Sequence, residues 1–156
     1  MTSRQHDSAG LVGVGYEGRT VEELIAQLHA LGVSRLVDVR LTPLSRKPGL
    51  SKTALGHALA QAGIVYEHHR ELGNPKNNRP GFATAGAARD DARAYYADLL
   101  RRPRAKRALE AVATAGRQER VAVLCFEADE ARCHRHVVIE EVQRRLGLGA
   151  DDRGGQ

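Results

Sequence analysis

The sequence predicts a single α/β domain of Rossmann-like, three-layer build around a mostly parallel sheet of about four strands. Three observations carry this expectation. Short apolar runs alternate along the chain with stretches whose apolar residues recur at helical spacing. The apolar runs show little polar alternation, as strands covered on both faces do. The 156 residues suffice for one well-buried core but not for two. With no internal repeat and no linker, the domain is placed at 10–148, with 1–9 and 149–156 as disordered tails.

Taken in order, Leu11-Val12-Gly13-Val14 is the first strand, running into the loop Gly15-Tyr16-Glu17-Gly18. Thr20, followed three residues later by Glu23, forms a capping box. Val21, Leu24, Ile25, Leu28 and Leu31 then repeat at helical spacing until Gly32 supplies the stop. Leu36-Val37-Asp38-Val39 is the second strand. Ser51 is placed to cap a helix carrying Leu55, Ala58, Leu59 and Ala62, closed by Gly63. Ile64-Val65-Tyr66 begins a third strand that runs into Glu67-His68-His69-Arg70. Residues 73–86 hold two prolines and three asparagines and no period, which predicts a long loop or lid, functional or mobile. Residues 88–102 predict a third helix, and Pro103 opens a fourth with Leu109 and Val112, closed by Gly116. Val121-Ala122-Val123-Leu124-Cys125 is the fourth strand. A final helix, capped by Asp129, runs to Leu146 before Gly147.

The simplest winding orders the strands 3-2-1-4 with right-handed crossovers. Ligands of such sheets sit beyond the carboxyl ends of the strands, where the winding reverses, here between the first and fourth strands. The polar residues collect at those ends: Tyr16 and Glu17, Asp38 and Arg40, His68 and His69, Cys125 and Glu127. On the last helix, Arg135 falls inside the apolar stripe of Ala131, Val138, Val142 and Leu146, flanked by Ile139, with His134 at its edge. A buried arginine needs a counter-charge. Asp38, Glu17 or an anionic ligand are the candidates, and a ligand-free Arg–Asp brace is the alternative.

Both cysteines lie in CFEADEARCHRHV, residues 125–137. They form no Cys-x-x-Cys pair, and helical projection turns Cys133 away from Arg135 and His136 towards solvent. Neither a zinc site nor, without an export signal, a disulfide is expected, and no metal or cofactor is predicted. Cys125 ends a buried strand near a helix N-terminus, which favours a thiolate. Glu127, Asp129 and Glu130 oppose that, and a small buried core residue is the plainer reading of Cys125.

The net charge is +5, and 20 of the 24 basic residues are arginine, the better fork for planar anions. Arg101, Arg102, Arg104, Lys106 and Arg107 form the densest basic run, a candidate nucleic-acid contact or simply a solvated helix face. No run approaches the roughly 18 apolar residues of a membrane span. The start, MTSRQHDSAG, has no apolar signal core, so a cytoplasmic protein without membrane contact is expected.

Five ordered groups of residues add a resemblance. They are Gly15-Tyr16-Glu17-Gly18, Val37-Asp38-Val39-Arg40, Ser45-Arg46-Lys47-Pro48-Gly49-Leu50, Tyr66-Glu67-His68 with Glu71-Leu72-Gly73, and Leu124-Cys125-Phe126-Glu127 with Cys133-His134-Arg135. Over about residues 11–146 the chain resembles the bacterial and archaeal family known as domain of unknown function 488. The resemblance implies a Rossmann-like domain and points to Tyr16, Asp38, Arg40, His68, Cys125, Glu127, Cys133, His134 and Arg135. A weaker similarity to rhodanese lies in Asp-Val-Arg after one strand and a cysteine ending a later one. The acidic turn after Cys125, in place of a backbone-amide cradle, stands against sulfur transfer.

The expected function is that of an enzyme or ligand-binding domain for a nucleotide-like or other anionic small molecule. Cys125, Glu127, His134 and Asp38 are the candidate catalytic groups. Tyr16, Glu17, Arg40, His68, Cys133 and Arg135 are the candidate ligand contacts. A nucleic-acid-associated module and a cysteine-based sulfur-transfer or redox enzyme are the alternatives.

Overall fold

A computed structural model describes residues 9–154, with side chains to residue 147. Strands β1 (Gly10–Gly15), β2 (Arg35–Asp38), β3 (Val65–His68) and β4 (Arg120–Cys125) form one sheet, all neighbours parallel. The helices are α1 (Val21–Ala30), α2 (Lys52–Gln61), α3 (Arg79–Ala83), α4 (Ala87–Leu99), α5 (Pro103–Gln118) and α6 (Arg135–Gly154).

The strand order is β1-β4-β2-β3, which replaces the predicted 3-2-1-4. The cause is burial. The last five residues of β4 are fully buried, whereas the first four of β1, interrupted by glycine, are only half-buried. The most apolar strand takes the interior place and β1 becomes an edge. β1 and β4 remain neighbours, so the crevice at their carboxyl ends survives, with β2 now on its far side.

Strand side chains alternate between two cores, as the pleat requires. Leu24 and Leu28 of α1 and Leu55 and Leu59 of α2 pack with Val14, Leu36, Ala122 and Leu124 on one face. α4, α5 and α6 cover Val37, Val121, Val123 and Cys125 on the other. α1 opens with the predicted capping box: Thr20 Oγ1 accepts from Glu23 N at 3.1 Å, and Glu23 Oε1 accepts from Thr20 N at 2.8 Å. Ser51 precedes α2 but caps nothing; its hydroxyl exchanges hydrogen bonds with the Ser45 backbone at 3.0 and 3.2 Å. That ties down the loop after β2.

Two expectations change. Residues 73–86 hold a 3-10 turn (Lys76–Asn78) and α3, because Pro80 suits a first helical turn and Phe82 is buried edge-on against Tyr96. Asp129 caps only a 3-10 turn, Glu130–Arg132, accepting from Ala131 N at 3.0 Å. Cys133 is extended, with φ −122° and ψ 144°, so α6 starts at Arg135; it then continues past Gly147. The predicted tails, 1–9 and 149–156, fall for the most part outside the residues described with side chains. No helix among the described residues is long and apolar enough to cross a membrane.

Candidate functional site

The predicted polar cluster is two clusters, on opposite faces of the sheet. Asp38 points towards the α1/α2 layer and Cys125 towards α6, because the two positions fall on opposite sides of the pleat.

The first cluster is closed. Asp38 is fully buried and accepts from Arg40 Nε at 2.9 and 3.1 Å, Arg40 Nη2 at 2.7 Å and the Arg40 backbone N at 3.0 Å. The Tyr66 hydroxyl donates to the same carboxylate at 2.6 Å. Arg40 spends Nη1 on the Leu50 carbonyl at 2.8 Å and the Tyr16 hydroxyl at 3.2 Å. His68 Nε2 donates to the Arg40 carbonyl at 2.7 Å. Burial works against the Arg40 charge, but Asp38 more than offsets it and holds the guanidinium above its ordinary value. Burial, then the bond to Asp38, raises the Tyr66 phenol. Asp38, Arg40 and His68 therefore form a self-satisfied brace.

The second cluster lies where β4, the turn after it and α6 meet. Arg135, only 2% exposed, is buried as expected. Its partners are new. Nη1 donates to Cys125 Sγ at 3.1 Å and to the Glu127 carbonyl, and Nη2 donates to the Ala128 carbonyl at 3.1 Å. Neither Asp38 nor Glu17 neutralises it; the nearest carboxylate is Glu130, with Oε1 3.8 Å from Nε. Burial pushes the guanidinium below its ordinary value, opposed by Glu130, Glu127 and Asp129. Glu17 instead clamps two loops: its N donates to the Phe126 carbonyl at 2.8 Å and its Oε1 accepts from Ala128 N at 3.0 Å. A Cβ on Gly15 would overlap the Glu127 carbonyl, so this junction requires glycine.

The sulfurs of Cys125 and Cys133 meet in bonding contact, contrary to the expectation that the two form no disulfide. The helical projection failed because Cys133 sits in an extended link before α6, not on the helix. Both cysteines are 1% exposed. His134 Nδ1 is 3.7 Å from Cys133 Sγ, and His134 Nε2 donates to the Val39 carbonyl at 2.8 Å. Burial lowers the His134 imidazole to about 4; the Val39 bond opposes this, and Arg79 and Arg135 add to it. His134 is neutral at pH 7. His136 is half-buried between Glu130 and Glu140.

Above both clusters a cleft of about 410 Å³ opens beyond the strand ends. Of the predicted residues it takes Tyr16, Arg40, Glu127 and His134 into its wall. Its other cations, Arg46, Lys47, Arg79 and Arg132, were not assigned to a site from the sequence. Arg46 and Lys47 belong to the Ser45–Leu50 group, and Arg79 and the buried Asn74 to the aperiodic 73–86 stretch. Phe126, 44% exposed and edge-on to Tyr16 at 5.4 Å between centroids, forms an apolar shelf in the same cleft.

Fold and site together define an α/β domain with a cationic cleft beyond its strand ends and a buried cysteine–histidine cluster beneath the floor. A family model described as Domain of unknown function DUF488 matches residues 20–142, most of the chain, and the chain belongs to that family. No curated protein and no solved structure matches it.

Proposed function

We propose that the protein is an enzyme or ligand-binding domain for an anionic small molecule of nucleotide type, taken up in the cleft beyond the strand ends. One observation carries the reading: Arg46, Lys47, Arg79 and Arg132 ring a cleft in which, among the described residues, Glu127 is the only acidic wall residue. Arg46 and Arg79 are exposed and have no carboxylate partner among the described residues. Guanidinium forks suit phosphate oxygens, and the Phe126 ring offers a face for a planar base. Glu127 is the carboxylate placed to exchange a proton with bound ligand.

The test is calorimetric titration of the chain with a panel of nucleoside phosphates and simple phosphates, sulfates and carboxylates. The variants Arg46→Ala and Arg79→Ala change exposed side chains and should each weaken binding about tenfold or more. Failure of the whole panel to bind, or binding indifferent to both variants, rejects the reading.

The basic run favours a second reading. Arg70, Arg102, Arg104 and Arg107 line a separate groove together with Tyr95, which is 48% exposed. The aromatic absent from the run itself is thus supplied by α4, which suits single-stranded nucleic acid. Binding to an oligonucleotide whose affinity falls steeply with salt would support it, and a flat salt response would end it.

A further inference from the structure

The brace around Asp38 is saturated, whereas the cluster on the opposite face of the sheet brings two sulfurs and an imidazole together. Cys125 Sγ, Cys133 Sγ and a ring nitrogen of His134 all lie within 4.8 Å of one another. We propose that these three residues hold a zinc ion whose fourth position opens beside Glu127 towards the cleft.

Four features of the geometry support this. The bond from His134 Nε2 to the Val39 carbonyl keeps the proton on Nε2 and leaves Nδ1 a bare lone pair, the arrangement of a metal-binding histidine. Cys133 Sγ and His134 Nδ1 are 3.7 Å apart. Two ligands of a tetrahedral zinc, at roughly 2.3 Å for sulfur and 2.0–2.1 Å for nitrogen, sit roughly 3.6 Å apart. Each sulfur accepts an N–H from Arg135, Cys125 from Nη1 at 3.1 Å and Cys133 from the backbone N at 3.4 Å. Such donors disperse the charge of thiolate ligands. Finally, the Cα atoms of the two cysteines are 7.1 Å apart, wider than the roughly 4.4–6.8 Å a disulfide spans without backbone movement. Sulfurs parted by roughly 3.8 Å on a shared zinc suit that separation.

Two thiolates and an imidazole select zinc over magnesium or calcium, and the two negative sulfurs cancel the charge of the ion. Once a thiol or phosphine reductant supplies the two electrons that part the sulfurs as two thiols, binding converts both thiols to thiolates and releases both protons to solvent. Glu127 Oε2 lies 3.4 Å from Cys125 Sγ and also lines the cleft, so the fourth place falls to this carboxylate or to a water or ligand that displaces it. Three protein ligands with one exchangeable position is the pattern of a catalytic zinc. The assignment goes beyond the anion-binding reading and stands without it, since metal uptake and anion uptake are measured separately.

The experiment uses the full chain, reduced with a phosphine, stripped with a chelator and titrated with Co²⁺. A thiolate-to-cobalt charge-transfer band with tetrahedral d–d absorption should saturate at one equivalent and vanish on adding zinc. Cys133→Ser and His134→Ala, each checked for folding by circular dichroism, should weaken cobalt binding on the order of a hundredfold. No saturable thiolate–cobalt band in the reduced wild type, or unchanged affinity in either folded variant, overturns the site. Should both variants unfold, proton release decides: zinc added to the reduced wild type should free about two protons per ion, and no release overturns it.

Discussion

The two polar clusters lie at the same ends of the same strands and are built on opposite plans. Around Asp38 each charged group has its partner within the chain: Arg40 and Tyr66 satisfy the carboxylate, and Tyr16 and Leu50 take up the rest of the guanidinium. Around Cys125 the chain supplies electron pairs and a neutral imidazole, and the one buried cation, Arg135, is directed at sulfur and at carbonyl oxygens. A polar group at a strand end is therefore no evidence of function by itself. What separates a brace from a site is whether its hydrogen-bonding capacity is already spent.

The largest effect that would break this contrast is at Arg40. Arg40→Ala leaves a fully buried Asp38 without its counter-ion and should cost about 3–5 kcal/mol in urea unfolding. A loss below about 1 kcal/mol would show that the brace is not what it is taken to be.

Next comes the pH response of the metal-free chain. The folded His134 stays neutral down to about 4, whereas the unfolded imidazole takes up a proton near pH 6.5. The unfolded state therefore binds more protons between those values, so this contribution is intact above pH 6.5 and is lost as pH falls towards 4. The loss should approach roughly 3 kcal/mol. Arg79 and Arg135 deepen the effect and Asp38 opposes it. Urea unfolding at pH 7 and pH 4.5, beside a His134→Gln variant with a flatter dependence, isolates it from the carboxylates titrating in the same range.

Tyr66→Phe removes one bond to the Asp38 carboxylate and leaves the four from Arg40, so it should cost about 2 kcal/mol by the same measurement. Smallest of all, Cys133→Ser in the stripped chain should cost only about 1 kcal/mol, since a hydroxyl can still accept the Arg135 amide. A larger cost there than at Arg40 would reverse the comparison.

Much of the frame was legible in the sequence, because the strongest signals act locally. The capping box at Thr20 and Glu23 is a pair three residues apart, and β4 is an unbroken apolar run from Val121 on. Arg135 was legible for the same reason: as the first residue of α6 it shares a true helical phase with Val138 and Val142. Cys133 was not, because the helical phase had been carried back across a link that is not helical. The strand order escaped because it depends on how much of β1 and β4 is buried, a competition between distant segments. Arg46, Lys47 and Arg79 escaped as site residues because surface arginines and lysines carry no periodic signature; only the folding of 73–86 and the loop after β2 brings them round one cleft.

The alternation along β4 has a consequence for how the two centres can change. Leu124 serves one layer and Cys125 the other, so the separation of brace and cysteine cluster is recorded in odd and even, not in residue identity. Substitutions can erode either centre singly. Only a change of parity, one residue gained or lost within the strand, would turn the Cys125 sulfur onto the Tyr16 and Leu50 side and bring the two chemistries into one compartment.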